Sequence, residues 1–108
     1  IERFDLSYEI LWTDVFLGNQ NDPKAVALLR TATQKLSYAT EEKLHPLKWG
    51  EDFGYFTQRF PGAFFGLGAG ENCPALHNPD YDFPDELIEY GVALFMEIVK
   101  EANQSEVV

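Results

Sequence analysis

Apolar and polar residues alternate along FDLSYEILW, residues 4–12, near the start of the chain. A side-chain period of two places every second residue on the same face of a strand. The pattern therefore predicts a half-buried β-strand, and its buried face consists of Phe4, Leu6, Tyr8, Ile10 and Trp12.

The polar segment LGNQNDP, residues 17–23, separates this strand from a helical pattern. Asp22 can accept the free amide hydrogens of a first helical turn, and Pro23 suits the first helical position because that position needs no donor. Apolar residues then recur at helical spacing. The sequence predicts a helix from Pro23 to about Tyr38, with its apolar stripe at Ala25, Leu28, Leu29, Ala32 and Leu36.

The middle of the chain predicts a short helix followed by a second strand. Phenylalanines recur at three- and four-residue spacing over residues 51–60, and Pro61 and Gly62 end the helical pattern. Residues 63–68, AFFGLG, are continuously apolar and bounded by glycine, which is typical of a strand covered on both faces.

A last helix is predicted to begin near Pro84, with Asp85 and Glu86 in its first turn. Its broad apolar stripe consists of Leu87, Ile88, Val92, Leu94, Phe95, Ile98 and Val99. The order strand, helix, helix, strand, helix predicts an α/β fold.

Composition restricts the possible partners. The chain has 108 residues with 8 basic and 18 acidic side chains, a formal charge of −10, which disfavours binding to a phosphate backbone. No apolar run approaches the roughly 20 residues of a membrane span. Cys73 is the single cysteine, so no internal disulfide can form and a cytoplasmic location is expected. Because the chain opens with Ile1 in the middle of a pattern, we expect a piece of a longer protein.

The two histidines differ in their setting. His45 lies among lysines in KLHPLK and is most simply an exposed or packing residue. His77 lies in residues 69–83, a long loop after the predicted buried strand, where open α/β sheets form their ligand crevices. Asp80 and Asp82 could orient its imidazole. Spacing alone leaves open whether His77 is a ligand.

Other candidate groups have a plainer interpretation. Glu51 and Asp52 could be a general base with its partner or metal ligands, but acids at this position also cap helix starts. Cys73 has no basic neighbour that would favour a thiolate nucleophile. The glycines of GLGAGEN, residues 66–72, are not followed by the helix and Lys-Ser/Thr of a phosphate loop.

Three segments of the chain together resemble sequences of a family of enzymes. GEDFGYFTQRFPGAFFGLGAG, LHNPDYDFPDELIEYGVALF and DVFLGNQNDP are similar to segments of the metal-dependent amidohydrolases and peptidases that include the hippurate, N-acyl-amino-acid and auxin-conjugate hydrolases. The likeness spans nearly the whole chain.

The resemblance implies a two-domain hydrolase that cleaves the amide bond of N-acyl amino acids with two divalent ions, Zn, Mn, Ni or Co. Residues 1–14 would be the last strand of an inserted lid domain that forms a homodimer. Residues 15–108 would be the C-terminal portion of a zinc-peptidase-like catalytic domain, with a mixed sheet and flanking helices. A small-molecule substrate is implied, with no nucleic acid and no membrane.

The resemblance also assigns residues. His77 falls on a metal-ligand histidine, and Gly50, Glu51 and Asp52 fall on a segment that lines the substrate side. The remaining metal ligands and the general-base glutamate would precede this chain, so no catalytic residue is expected in it. A catalytic site needs about three protein ligands for its metal, and the chain alone should therefore be inactive.

Two other hypotheses remain open at this point. The chain could be a non-enzymatic dimerisation or interaction module, because the edge of the predicted strand in FDLSYEILW could pair with another chain. An independent small α/β binding protein is the other alternative, and the opening Ile1 argues against it.

Overall fold

Three helices, joined by segments without regular secondary structure, make up residues 7–105, the part of the chain that the computed structural model describes. Helix α1 comprises Pro23–Lys35, helix α2 comprises Gly54–Thr57, and helix α3 comprises Glu86–Ser105. Among these described residues, no helix combines the length and the apolar character that a membrane crossing requires.

Helix α1 begins where the sequence predicts it. The carboxylate of Asp22 accepts hydrogen bonds from the backbone N–H groups of Lys24 and Ala25 at 2.9 and 3.0 Å, and Pro23 occupies the first helical position. The helix ends at Lys35 rather than at about Tyr38, because Ser37 has a φ of +57° that no helix can include.

Helix α2 is a single turn, shorter than the helix predicted over residues 51–60. Its N-cap residue, Phe53, makes no side-chain cap, and Glu51 and Asp52 precede the first turn. Beyond Thr57 the chain continues as a turn, in which the N–H groups of Arg59 and Phe60 both donate to the carbonyl of Phe56 at 2.9 Å.

Helix α3 packs against α1. The rings of Tyr38 and Tyr90 meet edge to face with centroids 5.6 Å apart. Lys35, at the end of α1, donates a hydrogen bond to the Glu101 carboxylate of α3. Ala32 and Leu94 are the buried apolar side chains among the described residues, so the packed centre lies between these two helices.

The predicted α/β class is wrong for the described residues, because residues 7–105 contain no strand and therefore no mixed sheet. Residues 7–12 of the first predicted strand have no regular structure, and its residues 4–6 lie outside the described residues. Residues 63–68 form no strand either. A strand exists only when a neighbour completes its hydrogen-bond ladder, and these segments have no such neighbour within residues 7–105. The division at residue 14 stays a prediction.

Much of the apolar surface remains uncovered. The chain exposes 9945 Å², whereas a folded protein of this length exposes about 6,100 Å². The predicted stripe of α3 is split: Leu94 faces α1, but Val92, Phe95 and Val99 are more than half exposed. A helix with apolar residues on both faces is normally buried on both, and the described residues cover one of them.

Candidate functional site

His77 lies at the tip of a tight turn in the loop between residues 69 and 83. The N–H of Asn78 donates to the carbonyl of Ala75 at 3.0 Å, which closes a four-residue turn with His77 in its third position. The N–H of Tyr81 then donates to the carbonyl of Asn78 at 3.0 Å, which closes a second turn. The imidazole is exposed, and its residue is held from both sides by backbone hydrogen bonds.

The backbone of His77 is left-handed, with a φ of +71°. The third position of a turn with positive φ normally holds Gly or Asn, because a β-carbon there crowds the following carbonyl oxygen. Holding a histidine in this conformation costs about 1–2 kcal/mol. The loop therefore accepts a strained residue at the position where the sequence predicts a ligand.

An open cavity of about 330 Å³ lies beside this turn. Its wall is apolar and contains no charged side chain; it includes Leu67, Cys73, Leu76, Tyr81, Phe83 and Leu87. The half-buried thiol of Cys73 thus lies in an apolar wall. The cavity suits an apolar group and offers no charged partner to a metal ion.

The predicted substrate-side residues precede α2. Gly50 lies against the ring of Phe16, where a β-carbon would come within 2.5 Å of a ring carbon. Glu51 and Asp52 are exposed, and a Glu51 carboxylate oxygen accepts the N–H of Asp52 at 3.0 Å. The carbonyl of Asp52 accepts the N–H of Tyr55 at 3.0 Å. These acids shape the approach to α2 without forming its N-cap.

The described residues do not assemble a metal centre by themselves. Within residues 7–105, no group of three or more His, Cys, Asp or Glu side chains could hold an ion. The orienting role predicted for Asp80 and Asp82 is not seen in this part of the chain, where neither carboxylate hydrogen-bonds to His77. One imidazole is a single ligand, so these residues alone do not fit the implied pair of ions, and no catalytic step follows from them.

A polar network that the sequence pattern does not predict ties the segment before α1 to α2 and to the segment after it. Asn21 Nδ2 donates to the carbonyl of Phe64 at 2.9 Å, and Asn21 Oδ1 accepts the N–H of Phe64 at 2.8 Å. Asn19 Nδ2 donates to Asn21 Oδ1 at 2.8 Å, and the hydroxyl of Thr57 donates to Asn19 Oδ1 at 2.9 Å. We call Asn19, Asn21, Thr57 and Phe64 the amide clamp.

Two further hydrogen bonds join the same segments. The N–H of Asp22 donates to the carbonyl of Gly62 at 2.9 Å, while its carboxylate caps α1. The phenol of Tyr55 donates to the carbonyl of Val15 at 2.7 Å. The sequence signal for these hydrogen bonds is the amide-rich run GNQND. This run is typical of an ordinary turn, and nothing local indicates that its hydrogen-bond partners lie about 40 residues away along the chain.

Comparison with known proteins identifies related sequences. The family model described as "Peptidase family M20/M25/M40" matches residues 7–101. An N-acetyldiaminopimelate deacetylase of Lactococcus lactis subsp. cremoris is 28% identical over 92 residues, which are 84% of this chain and 24% of the relative. The deacetylase of the same name in Pediococcus pentosaceus is 32% identical over 77 residues, 71% of this chain and 20% of the relative.

A third relative has a different name. A protein of Rhodococcus jostii with the provisional name glutamate–cysteine ligase 2-3 is 24% identical over 106 residues, 94% of this chain and 13% of the relative. The chain therefore spans about a quarter or less of the curated relatives it matches. No solved structure matches it significantly.

Proposed function

Because the chain belongs to peptidase family M20/M25/M40, we propose that it is the C-terminal part of a metal-dependent hydrolase that cleaves the amide bond of N-acyl amino acids. The names of two relatives describe the removal of an acetyl group from N-acetyldiaminopimelate, and the bond broken in such a reaction is an amide. In this proposal the substrate is a small molecule with an acylated amine.

The observation that carries the proposal is the backbone of His77. Its φ of +71° would suit glycine, yet the turn holds an exposed histidine there. Strained residues of this kind cluster at active sites, ligand clamps and switch regions. We infer that the imidazole is needed at the tip of this loop, and metal ligation is the role that family membership favours.

His77 would then supply one ligand to one of two divalent ions, Zn, Mn, Ni or Co, with the other ligands and the general base coming from the rest of the protein. Such ions lower the pKa of a bound water and polarise a carbonyl group. The described residues contribute the position of the imidazole and nothing to the proton transfer. The chain alone would therefore be inactive.

Gly50, Glu51 and Asp52 are proposed to line the substrate side. The Phe16 ring packed on Gly50 and the hydrogen bond from the N–H of Asp52 to Glu51 fix the backbone of this segment. The exposed carboxylates would repel an anionic substrate group, so we expect them to face its amide N–H or a polar side chain rather than its carboxylate.

The proposal extends to assembly and location. Tyr8, Ile10 and Trp12 are exposed, Trp12 by 80%, and these side chains would be covered in a homodimer formed through a lid domain. The single cysteine suits a cytoplasmic enzyme.

The same exposed side chains favour a second candidate function, a non-enzymatic dimerisation or interaction module. This alternative needs no metal and gives His77 no role. The two candidates therefore differ in whether substitution of His77 has any effect beyond the stability of the loop.

The test is hydrolysis of a panel of N-acetyl amino acids by the full-length protein that carries this chain, with and without a chelator. We expect turnover that the chelator abolishes and that added Zn²⁺ or Mn²⁺ restores. His77→Ala should lower kcat/KM by more than about 100-fold, since loss of a ligand exceeds the 10–100-fold effects of residues behind it.

His45→Ala is the matched control, because His45 is the other exposed histidine and lies in a different loop. It should leave kcat/KM unchanged within about twofold, which corresponds to a difference of about 0.4 kcal/mol in activation free energy. Full activity of His77→Ala would remove His77 from the site. Absence of any metal-dependent hydrolysis in the wild type would favour the interaction module.

A further inference from the structure

We propose that Asn21 is a positioning residue whose side-chain amide fastens residues 62–64 to the start of α1 and thereby fixes the base of the loop that carries His77. The fastening follows from the geometry of the described residues. Its consequence for metal binding rests on the proposed function.

The amide of Asn21 pairs with the backbone of one residue through two hydrogen bonds of opposite direction. It donates to the carbonyl of Phe64 at 2.9 Å and accepts its N–H at 2.8 Å. This is the arrangement by which a neighbouring strand would satisfy the same two groups. A side chain thus takes the place of a strand partner in a segment that the sequence predicts to be a strand.

The pairing needs a group with a donor and an acceptor on one planar carbon, which Asn provides and an ionised Asp does not. The amide of Asn21 is also oriented by a second residue, because its Oδ1 accepts Asn19 Nδ2 at 2.8 Å. Asn19 is in turn oriented by the hydroxyl of Thr57 at 2.9 Å. The donor side of Asn21 can therefore point only towards the carbonyl of Phe64.

The chain beyond Phe64 transmits this constraint towards the loop. The rings of Phe53 and Phe64 are 5.5 Å apart, and those of Phe65 and Phe95 are 5.8 Å apart. Leu67 then approaches Gly91 of α3, where a β-carbon would lie 3.3 Å from Leu67 Cδ1. The segment is thus held at residues 62, 64, 65 and 67, and the loop with His77 starts two residues later.

Asn21→Asp tests the pairing, because it replaces the donor by a second acceptor while keeping the shape. Asn103→Asp, on the exposed face of α3, makes the same chemical change away from the amide clamp. In the metal-free full-length protein at pH 8, Asn21→Asp should lower Tm by about 2–4 °C relative to Asn103→Asp, the shift expected for the loss of about one hydrogen bond.

Acidification should abolish this difference in Tm. Below the pKa of the new carboxyl group, its O–H can donate to the carbonyl of Phe64 and its C=O can accept the N–H, as the amide does. Two charged residues line the same open groove as position 21: Asp22, which raises the pKa of the introduced carboxyl group, and Arg59, which lowers it. The difference in Tm should shrink as the pH falls towards 4 and approach zero below about pH 4, the ordinary carboxyl pKa.

Metal affinity provides the second measurement. At pH 8, Asn21→Asp should weaken Zn²⁺ binding by up to about 10-fold, the lower end of the effects of residues bonded directly to a ligand, because Asn21 acts on His77 only through the intervening chain. Asn103→Asp should leave the affinity unchanged. If the wild type binds no metal, the proposed function fails while the pH dependence of Tm still decides the fastening.

Three results would overturn the inference: Tm values of Asn21→Asp that match those of Asn103→Asp at pH 8, a difference that does not shrink on acidification, or unchanged Zn²⁺ affinity in a wild type that binds Zn²⁺. A variant too unstable to fold at pH 8 should fold at about pH 4. Failure to fold at both pH values would contradict the pairing.

Discussion

Gly54 lies directly against the backbone of Leu17: a β-carbon on Gly54 would come 2.1 Å from the carbonyl oxygen and 2.8 Å from the carbonyl carbon of Leu17. This contact joins the first residue of α2 to the segment that leads into α1. Real side chains never approach a backbone this closely, and the neighbouring atom belongs to backbone that cannot rotate away. Glycine is therefore required at this position by space rather than by conformation.

Gly54→Ala should destabilise the protein by about 1–3 kcal/mol or more, because the added methyl group forces the two segments apart. Gly18→Ala is the matched control, since Gly18 lies next to Leu17 but would have no atom within 4 Å of its new β-carbon. It should change the free energy of unfolding by no more than about 0.5 kcal/mol. Denaturant unfolding of both variants measures the difference, and equal stabilities would refute the contact.

Substitution of His77 should separate the strain of the loop from the role of the imidazole. Glycine accepts a φ of +71° without a steric penalty, whereas alanine does not. His77→Gly should therefore be more stable than His77→Ala by about 1 kcal/mol, although both lose the ring. The comparison uses thermal or denaturant unfolding in the absence of metal. Equal stability of the two variants would show that the backbone at this position is not left-handed in solution.

Asp22 should stabilise α1 through its carboxylate. Asp22→Ala removes the acceptor for the N–H groups of Lys24 and Ala25, and the usual cost is about 1 kcal/mol. Asp22→Asn keeps an acceptor oxygen at the same place and should retain most of the stability. Free energies of unfolding for the pair provide the measurement. Similar losses in both variants would point to the charge of Asp22 rather than to its cap.

The contact between α1 and α3 should depend on pH in the alkaline range. The hydrogen bond from Lys35 to Glu101, assisted by the charges of Glu101 and Glu97, raises the pKa of Lys35 above 10.5, and partial desolvation opposes this. A pKa that is higher in the folded state than in the unfolded state stabilises the folded protein. This stabilisation is fully present below the unfolded pKa and is lost as the pH rises through the folded pKa.

Stability should therefore fall above about pH 10.5, and it should fall less in Lys35→Gln. Lys24→Gln is the matched control, because Lys24 lies on the same helix and its side chain forms no ion pair within the described part of the chain. Its alkaline unfolding curve should follow that of the wild type. Coincident curves for Lys35→Gln and the wild type would exclude the ion pair as the cause.

Local signals in the sequence predicted the start of α1 correctly, whereas α2 is a single turn instead of the helix predicted over residues 51–60. Asp22 and Pro23 fixed the start of α1 because a cap involves only neighbouring residues, and Ala32 of the predicted apolar stripe is buried. The end of α1 was placed too late. Ser37 ends the helix with a left-handed backbone, but the usual sequence signal for such an ending is a glycine or asparagine at that position.

The two strand predictions were wrong within residues 7–105 because, unlike a helix cap, a strand is not a local structure. A strand depends on partners distant in sequence, and the alternation of residues 4–12 or the apolar run of residues 63–68 says nothing about whether those partners are present. The amide clamp was missed on the same ground, because Asn21 is separated from Phe64 by 43 residues. The loop position of His77 could be predicted, but its positive φ could not.

The most direct test of the role of His77 is the metal content of the full-length protein after exhaustive dialysis, measured by atomic spectrometry for the wild type, His77→Gly and His45→Ala. His77→Gly is the informative variant because it removes the ring without leaving a strained backbone. We predict that His77→Gly retains fewer ions per chain than the wild type and that His45→Ala retains as many. Wild-type metal content in His77→Gly would contradict the account.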